Sequence, residues 1–316
     1  MAESLARRRA TDLPDFLKAR MEYAAMQFPR HSTRHAALLA AALLASGQPA
    51  RAQAAEAKTP PAAILAQIPR SEQIDLVSPS NGSFRIMISA PRGKAPPQGY
   101  PVVYLLDGNS VFGTMTEAVR MQEGRIGPAV IVAIGYPIDT ALDGPRRFYD
   151  LTEVTDPKNL PEQTGRDRRT GGRETFLDFL IGQVKPLVES KYPIDQNSST
   201  LFGHSLGGYF VLHTLFSRPE AFHKYVAASP SIWWNGHSLV TERKSYIEKR
   251  RGHEKRNELM VIVGAEELGY MVNDARDIVR TLAPMRVYHK EIAGEDHVSV
   301  LPPALNAALH FALDPR

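Results

Sequence analysis

The sequence contains no cysteine among its 316 residues. Without cysteine a chain forms no disulfide framework, no cysteine-ligated zinc site and no thiolate nucleophile. No uninterrupted apolar run reaches the ~18 residues that a membrane-spanning helix needs. Hydrophobic residues make up 43% and charged residues 23% of the chain. These shares are close to those of globular proteins and exclude a disordered chain, a coiled coil and a collagen.

The excess of positive charge lies near the N-terminus. Residues 1–54 hold 8 of the 38 Lys and Arg residues and 4 of the 34 acidic residues, so the rest of the chain holds 30 of each. A neutral main part offers no basic surface of the kind that binds nucleic acid. We therefore expect no nucleic-acid partner.

An apolar segment near the N-terminus has the three parts of a secretory signal peptide. Arg30 and Arg34 precede the run AALLAAALLA at residues 36–45, and Ala52-Gln53-Ala54 follows a polar stretch. A basic start, an apolar run of ~7–15 residues and an A-x-A site are typical of exported proteins. The alternative is an amphipathic helix, but the run has no polar face. The sequence predicts an over-extended start over residues 1–25, a signal peptide over 26–54, and a periplasmic or secreted protein with no stable membrane span.

One domain is predicted for residues 73–316, after a linker rich in proline and alanine at residues 55–72. Alternating residues at 74–77 and 84–89, around Asn81-Gly82, predict a hairpin. Short apolar runs ended by Gly, Pro, Asp or Asn predict buried strands at residues 102–106, 129–134, 200–202, 225–228, 259–263 and 285–292. Helical patterns occupy residues 173–191, 206–217, 239–250, 271–282 and 298–313. This alternation predicts an α/β fold, a mostly parallel central sheet with helices on both faces and the antiparallel hairpin at one edge.

Residues 138–172 fit none of these elements. The segment is rich in proline, glycine, aspartate and arginine. Long irregular segments inside compact domains are usually functional lids or disordered. We interpret it as a lid-like insertion that forms a wall of the site.

Residues 203–207, Gly-His-Ser-Leu-Gly, match the pattern G-x-S-x-G. They stand between a predicted strand and a predicted helix, where α/β-hydrolases place the nucleophilic serine. The glycines let the strand and the helix approach at a sharp turn. The alternative is that Ser205 is a helix cap and the glycines serve packing only. The pattern in this context predicts Ser205 as a nucleophile.

A serine nucleophile needs a base, and the base needs an orienting group. His297 lies in a polar turn, Ala293 to His297, between the last predicted strand and the last predicted helix, where this fold places its histidine. Glu266 and Glu267 both follow the strand at 259–263, and from the residues alone either one could orient His297. Asp296 ranks behind them because neighbouring side chains diverge.

Two backbone N–H groups are needed to stabilise the oxyanion of an acyl-transfer reaction. The residue after the nucleophile, Leu206, supplies one of them, and the loop after an early strand supplies the other. Gly108 or Asn109 is the expected second donor, because Asp107-Gly108-Asn109 follows the strand at 102–106. The alternative is an ordinary turn at these residues.

Several of these segments together resemble the Putative esterase family of α/β-hydrolases, the esterase D-like group. The similar segments are residues 101–109, 147–152, 203–208, 228–234 and 294–297, and they occur in the family's order. The segments Ser-Pro-Ser-Ile-Trp-Trp and Gly-Glu-Asp-His are most similar to those of periplasmic siderophore esterases, which open enterobactin- or bacillibactin-type trilactones. The resemblance covers about residues 72–313.

The resemblance implies roles for particular residues. Ser205 is expected to be the nucleophile, His297 the base and Glu267 the acid, because the family places its acid three residues after the glycine. Residues expected to bind substrate are Trp233, Trp234, Arg147 and Asp107. The alternative for the two tryptophans is burial in the core. We expect one of them to line the substrate cleft and the other to lie in the core.

The sequence as a whole therefore predicts a serine esterase that works through an acyl-enzyme, with a small-molecule ester as its partner, in particular a siderophore trilactone. It predicts neither a metal nor an organic cofactor, because no zinc-ligand spacing and no phosphate-binding glycine loop occurs. Two alternatives remain. One is a general carboxylesterase or acyltransferase on the same triad, and the other is a catalytically silent binding protein.

Overall fold

A computed structural model describes residues 67–160, 168–249, 257–283 and 285–313. The predicted over-extended start at 1–25, the signal peptide at 26–54 and most of the linker at 55–72 lie outside these residues. The last two residues of that linker were assigned wrongly, because the first strand already begins at Ser71.

Eight strands of the described residues form one mixed sheet. They are β1 Ser71–Ser78, β2 Gly82–Ser89, β3 Tyr100–Leu105, β4 Val130–Gly135, β5 Ile194–His204, β6 Lys224–Ala228, β7 Glu258–Gly264 and β8 Arg286–Ile292. Their order across the sheet is β1-β2-β4-β3-β5-β6-β7-β8. The pairs β1–β2 and β2–β4 are antiparallel, and the remaining pairs are parallel. The predicted α/β fold with a hairpin at one edge is confirmed.

Burial along each strand follows its place in the sheet. All six residues of β4 are buried, as expected of a strand covered on both faces. The edge strands β1 and β8 instead alternate between exposed and partly buried residues. The continuous apolar runs in the sequence therefore correspond to central strands, and the alternating segments to edges.

Helices cover both faces of the sheet. They are α1 Gly108–Ile126, α2 Gly144–Leu151, α3 Arg173–Phe179, α4 Lys185–Lys191, α5 Leu206–Ser217, α6 Trp234–His237, α7 Leu239–Lys249, α8 Gly269–Thr281 and α9 Leu301–Leu313. A π-helical turn, Leu180–Val184, joins α3 to α4. One hydrophobic core contains residues of α3, α5, α7 and α8, and a second on the other face contains residues of α1 and α9.

The segment at 138–172 is more regular than predicted. It contains α2 and a short 3₁₀ turn, Pro157–Asn159. The Asp143 side chain accepts a hydrogen bond from the Arg146 amide and caps α2, and a proline stands in its first turn. The proline and aspartate that suggested an irregular segment are therefore the start signals of a helix. Whether the insertion acts as a lid stays a prediction.

The parallel strands bring their carboxyl ends to one edge of the sheet, where ligands bind in open α/β sheets. The loops after β3, β5, β6, β7 and β8 all leave from this edge. Across the described parts of the chain, no helix combines the length and apolar character needed to cross a bilayer.

Candidate active site

Ser205 lies on a strained turn between β5 and α5. Its backbone has φ 60° and ψ −118°, a conformation that an L-residue rarely adopts. Three backbone hydrogen bonds hold it there. The Ser205 amide donates to the Ala228 carbonyl at 2.9 Å, and the Ser205 carbonyl accepts from the amides of Tyr209 at 3.0 Å and Ser231 at 3.1 Å. A side chain at Gly203 would lie 2.3 Å from the Gly207 carbonyl oxygen. Glycine at 203 is therefore needed for the strand and the helix to approach this closely.

His297 follows β8 and reaches the serine. Its Nε2 lies 3.1 Å from the Ser205 Oγ, and its Nδ1 lies 3.0 Å from Oε2 of Glu267. A carboxylate only accepts hydrogen bonds, so Nδ1 carries the proton and Nε2 is free to accept from the serine hydroxyl. The arrangement gives Ser205 a base in the required tautomer.

Glu267 is held as a carboxylate. Its side chain is fully buried. Burial opposes the charge, yet hydrogen bonds from His297, Ser229 and the Gly264 amide lower the pKa of Glu267 below its usual value. Its Oε1 accepts from the Ser229 hydroxyl and, at 2.8 Å, from the Gly264 amide, while Oε2 faces His297.

The other two candidate acids point elsewhere. Glu266 is exposed, and its amide donates to the Glu295 carbonyl at 2.9 Å. Asp296 is also exposed and accepts hydrogen bonds from the amides of Val298 and Ser299. The structure thus brings only Glu267, of the three, to the His297 ring.

The turns that carry the expected oxyanion donors are adjacent. Leu206 begins α5 and Gly108 begins α1, so each residue stands where helix amides lack an intrahelical acceptor. A Cβ atom at Gly207 would lie 3.4 Å from Oδ2 of Asp107. The side chain of Asn109 faces away from this point, since its amide group bonds backbone groups of the loop after β4. Gly108 and Asn109 both remain candidates for the second backbone donor.

Asp107 and Arg147, both expected to bind substrate, form an ion pair with each other. The Arg147 guanidinium donates from Nε and Nη2 to the two carboxylate oxygens at 2.9 Å each. Both residues are buried, and Asp107 adopts the left-handed conformation with φ 53°. The pair ties α2 to the turn before Gly108. Direct contact of either side chain with a substrate stays a prediction.

The two tryptophans have different environments. Trp234 is completely buried, and its Nε1 donates to the Thr155 hydroxyl at 3.0 Å. Core packing encloses the Trp234 ring, so it does not contact substrate, although it was among the expected binding residues, and it is the core member of the pair that was expected to contain one of each kind. Trp233 is partly exposed and packs edge-on against Tyr270. Of the pair, Trp233 is the one that a ligand can reach.

Residues just outside the predicted set support the triad. His204 precedes the nucleophile, and its Nε2 donates to the His297 carbonyl at 2.7 Å. Burial and the neighbouring His297 lower the pKa of His204 to about 4, so it is a neutral donor at ordinary pH. Ser231 places its Oγ 3.4 Å from the Ser205 Oγ. Both residues lie inside segments that resemble the family, at 203–208 and 228–234, and this position in the sequence is the feature that could have identified them as site residues.

Comparisons with known proteins find esterases that are similar to this chain. A family model described as Putative esterase matches residues 78–300. The ferri-bacillibactin esterase BesA of Bacillus subtilis is 41% identical over an alignment of 254 residues that covers 74% of this chain and 86% of that protein.

Solved structures show the same fold. The BES protein from Bacillus cereus superposes with a TM-score of 0.74 at 35% identity, covering 81% of this chain and 99% of the other. The enterobactin hydrolase IroE in complex with DFP superposes with a TM-score of 0.65 at 25% identity, covering 77% and 95%.

Proposed function

Because this chain belongs to the Putative esterase family and is an ester hydrolase, we propose that it hydrolyses siderophore esters through an acyl-enzyme on Ser205. The observation that carries the proposal is the hydrogen-bonded series from Ser205 through His297 to a buried carboxylate. The substrate class rests on the names of its relatives, one of which is a ferri-bacillibactin esterase.

The geometry supports a two-step reaction. The Ser205 Oγ attacks the ester carbonyl carbon while its proton passes to Nε2 of His297. The developing oxyanion accepts hydrogen bonds from the Leu206 amide and from the amide of Gly108 or Asn109. The carbon–oxygen bond to the alcohol then breaks, and the alcohol takes the proton from His297. A water molecule repeats the sequence on the acyl-enzyme and releases the acid and Ser205.

The charge arrangement favours this proton transfer. His297 becomes positive when it takes the serine proton, and the Glu267 carboxylate lies 3.0 Å from its Nδ1. A charge-assisted hydrogen bond of this kind strengthens as the imidazole becomes charged. The adjacent His204 is neutral, so it does not repel the imidazolium.

We expect a trilactone siderophore with aromatic amide arms to react with higher kcat/KM than p-nitrophenyl butyrate. The partly exposed Trp233 is suited to stack on a flat ring. Steady-state hydrolysis of both esters by the purified protein measures the preference, and equal kcat/KM values would contradict it. The Trp233→Leu variant is the sharper comparison: it should lose more activity on the trilactone than on the butyrate ester.

Arg146 and Arg173 are engaged by contacts within the protein. Arg146 bonds backbone carbonyls of the β1–β2 turn and packs over two aromatic rings. Arg173 bonds Glu153 and Glu242. These contacts hold the insertion in place.

Export is part of the proposal. The predicted signal peptide at 26–54 and the Ala52-Gln53-Ala54 site support a periplasmic or secreted location. When the full gene is expressed in a bacterial host, the exported protein should begin near Ala55. N-terminal sequencing of that protein measures the start, and an exported protein beginning at Met1 or Ala2 would contradict cleavage.

A further inference from the structure

The segment after β6 contains a residue with a positive φ, and this residue contacts the triad. Ser229 has φ 43° and is completely buried. A non-glycine residue in this conformation persists only where its surroundings hold it. The Ser229 amide donates to the Ile262 carbonyl at 2.6 Å, which ties the end of β6 to β7. The strain is therefore maintained by the pairing of the end of β6 with β7, the strand that directly precedes the Glu267 turn.

The hydroxyl of Ser229 is aimed at the candidate acid. Ser229 Oγ donates to Oε1 of Glu267 at 2.5 Å. The same oxygen accepts from the Gly264 amide at 2.8 Å, so one donor comes from the segment after β6 and the other from the end of β7. With Oε1 fixed, the carboxylate has one oxygen left, and that oxygen lies 3.0 Å from Nδ1 of His297.

We propose that Ser229 is a positioning residue, which acts through Glu267 to orient His297. This inference rests on the proposed function, since it assigns a role within the same reaction. Without the hydroxyl, the Glu267 side chain keeps one donor on Oε1 and gains freedom to rotate about its terminal bond. A hydrogen bond to the buried charge is also lost, which favours the protonated acid.

The role of the hydroxyl is separable from the backbone strain. Alanine at position 229 keeps the Cβ atom at φ 43° and removes only the oxygen. Glycine removes the oxygen and also accepts a positive φ without strain. If the hydroxyl oxygen is needed for activity, both variants lose activity. If only the strained backbone is needed, the glycine variant alone has a changed activity.

The test combines these variants with Glu267→Gln in the full chain, with p-nitrophenyl butyrate as substrate. We expect Ser229→Ala and Ser229→Gly each to lower kcat by about tenfold, with KM unchanged within about twofold. In the Glu267→Gln background, Ser229→Ala should change kcat by less than about twofold, because a residue that acts through Glu267 has nothing left to orient.

A matched control is Ser199→Ala. Ser199 is also buried and makes one side-chain hydrogen bond, to His223 at 3.0 Å, but it lies toward the amino end of the parallel strands. This variant should keep the wild-type kcat. Thermal unfolding of every variant tests whether the fold is retained.

Two outcomes would overturn the proposal. One is a wild-type kcat in Ser229→Ala or in Ser229→Gly, since both variants lack the hydroxyl. The other is an equal fold-loss from Ser229→Ala with and without Glu267→Gln, which would indicate general disturbance of the site. Failure of the proposed function looks different: the wild-type protein would hydrolyse no ester and react with no serine-directed fluorophosphonate.

Discussion

Replacement of Ser205 by alanine should lower kcat by ~10⁴–10⁶ and leave the fold intact. The Oγ is the only atom removed, and it is the atom within 3.1 Å of Nε2 of His297. Alanine retains the Cβ atom, so the backbone at φ 60° is under the same constraint as before. Hydrolysis of p-nitrophenyl butyrate measures the loss, and thermal unfolding shows whether the structure persists.

A fluorophosphonate probe identifies the reacting hydroxyl directly. Mass spectrometry of the wild-type protein should find the label on Ser205. Ser231 is the appropriate control, because its Oγ lies 3.4 Å from the Ser205 Oγ and is the hydroxyl that could be mistaken for it. The Ser231→Ala variant should still be labelled. Labelling of Ser205→Ala to the wild-type extent would end the assignment of the nucleophile.

The central strands were predictable because a strand buried on both faces has a continuous run of apolar residues in the sequence. Runs such as residues 130–134 and 259–263 contain only apolar residues, and each is followed directly by a glycine. Helix α1 was missed for the opposite reason. It begins directly at the Asp107 turn with Gly108 and contains two more glycines, and glycine costs about 1 kcal/mol in a helix interior. Burial of Val111, Phe112 and Met115 against the sheet outweighs that cost.

Contacts between distant segments could not be predicted. Asp107 and Arg147 are forty residues apart, and no periodicity relates an acid after β3 to an arginine in α2. The hydroxyl of Ser229 meets Glu267 in the same way, across two neighbouring strand ends. Sequence patterns indicate which loops leave the carboxyl edge of the sheet, whereas the pairing of side chains between those loops depends on the packed backbone.

Glu266 and Glu267 illustrate why sequence patterns do not identify side-chain pairs. Both follow β7 directly, and periodicity gives no reason to prefer one. In the structure Glu266 is exposed, while the Glu267 side chain is buried against His297. A turn back toward the end of β7 makes the difference: the Glu267 amide donates to the Gly264 carbonyl, and the Gly264 amide donates to the Glu267 side chain.

Substitution of Glu267 by glutamine should lower kcat by ~10²–10⁴, the upper figure being the loss caused when a triad carboxylate becomes an amide. The donors around it give a specific reason. Ser229 and the Gly264 amide both donate to Oε1, so a glutamine must place its carbonyl oxygen there and turn its NH₂ group toward His297. Nδ1 must then accept a hydrogen bond, the ring proton moves to Nε2, and the ring can no longer accept the proton of Ser205.

Glu266→Gln is the matched control, since it makes the same chemical change one residue away on an exposed side chain. It should lower kcat by less than about tenfold. Hydrolysis of p-nitrophenyl butyrate by both variants separates the possibilities. A severe loss in Glu266→Gln alone would mean that the acid is wrongly assigned. Wild-type kcat in both variants would mean that Ser205 and His297 work as a dyad, with the His297 backbone held by His204 and its ring needing no carboxylate.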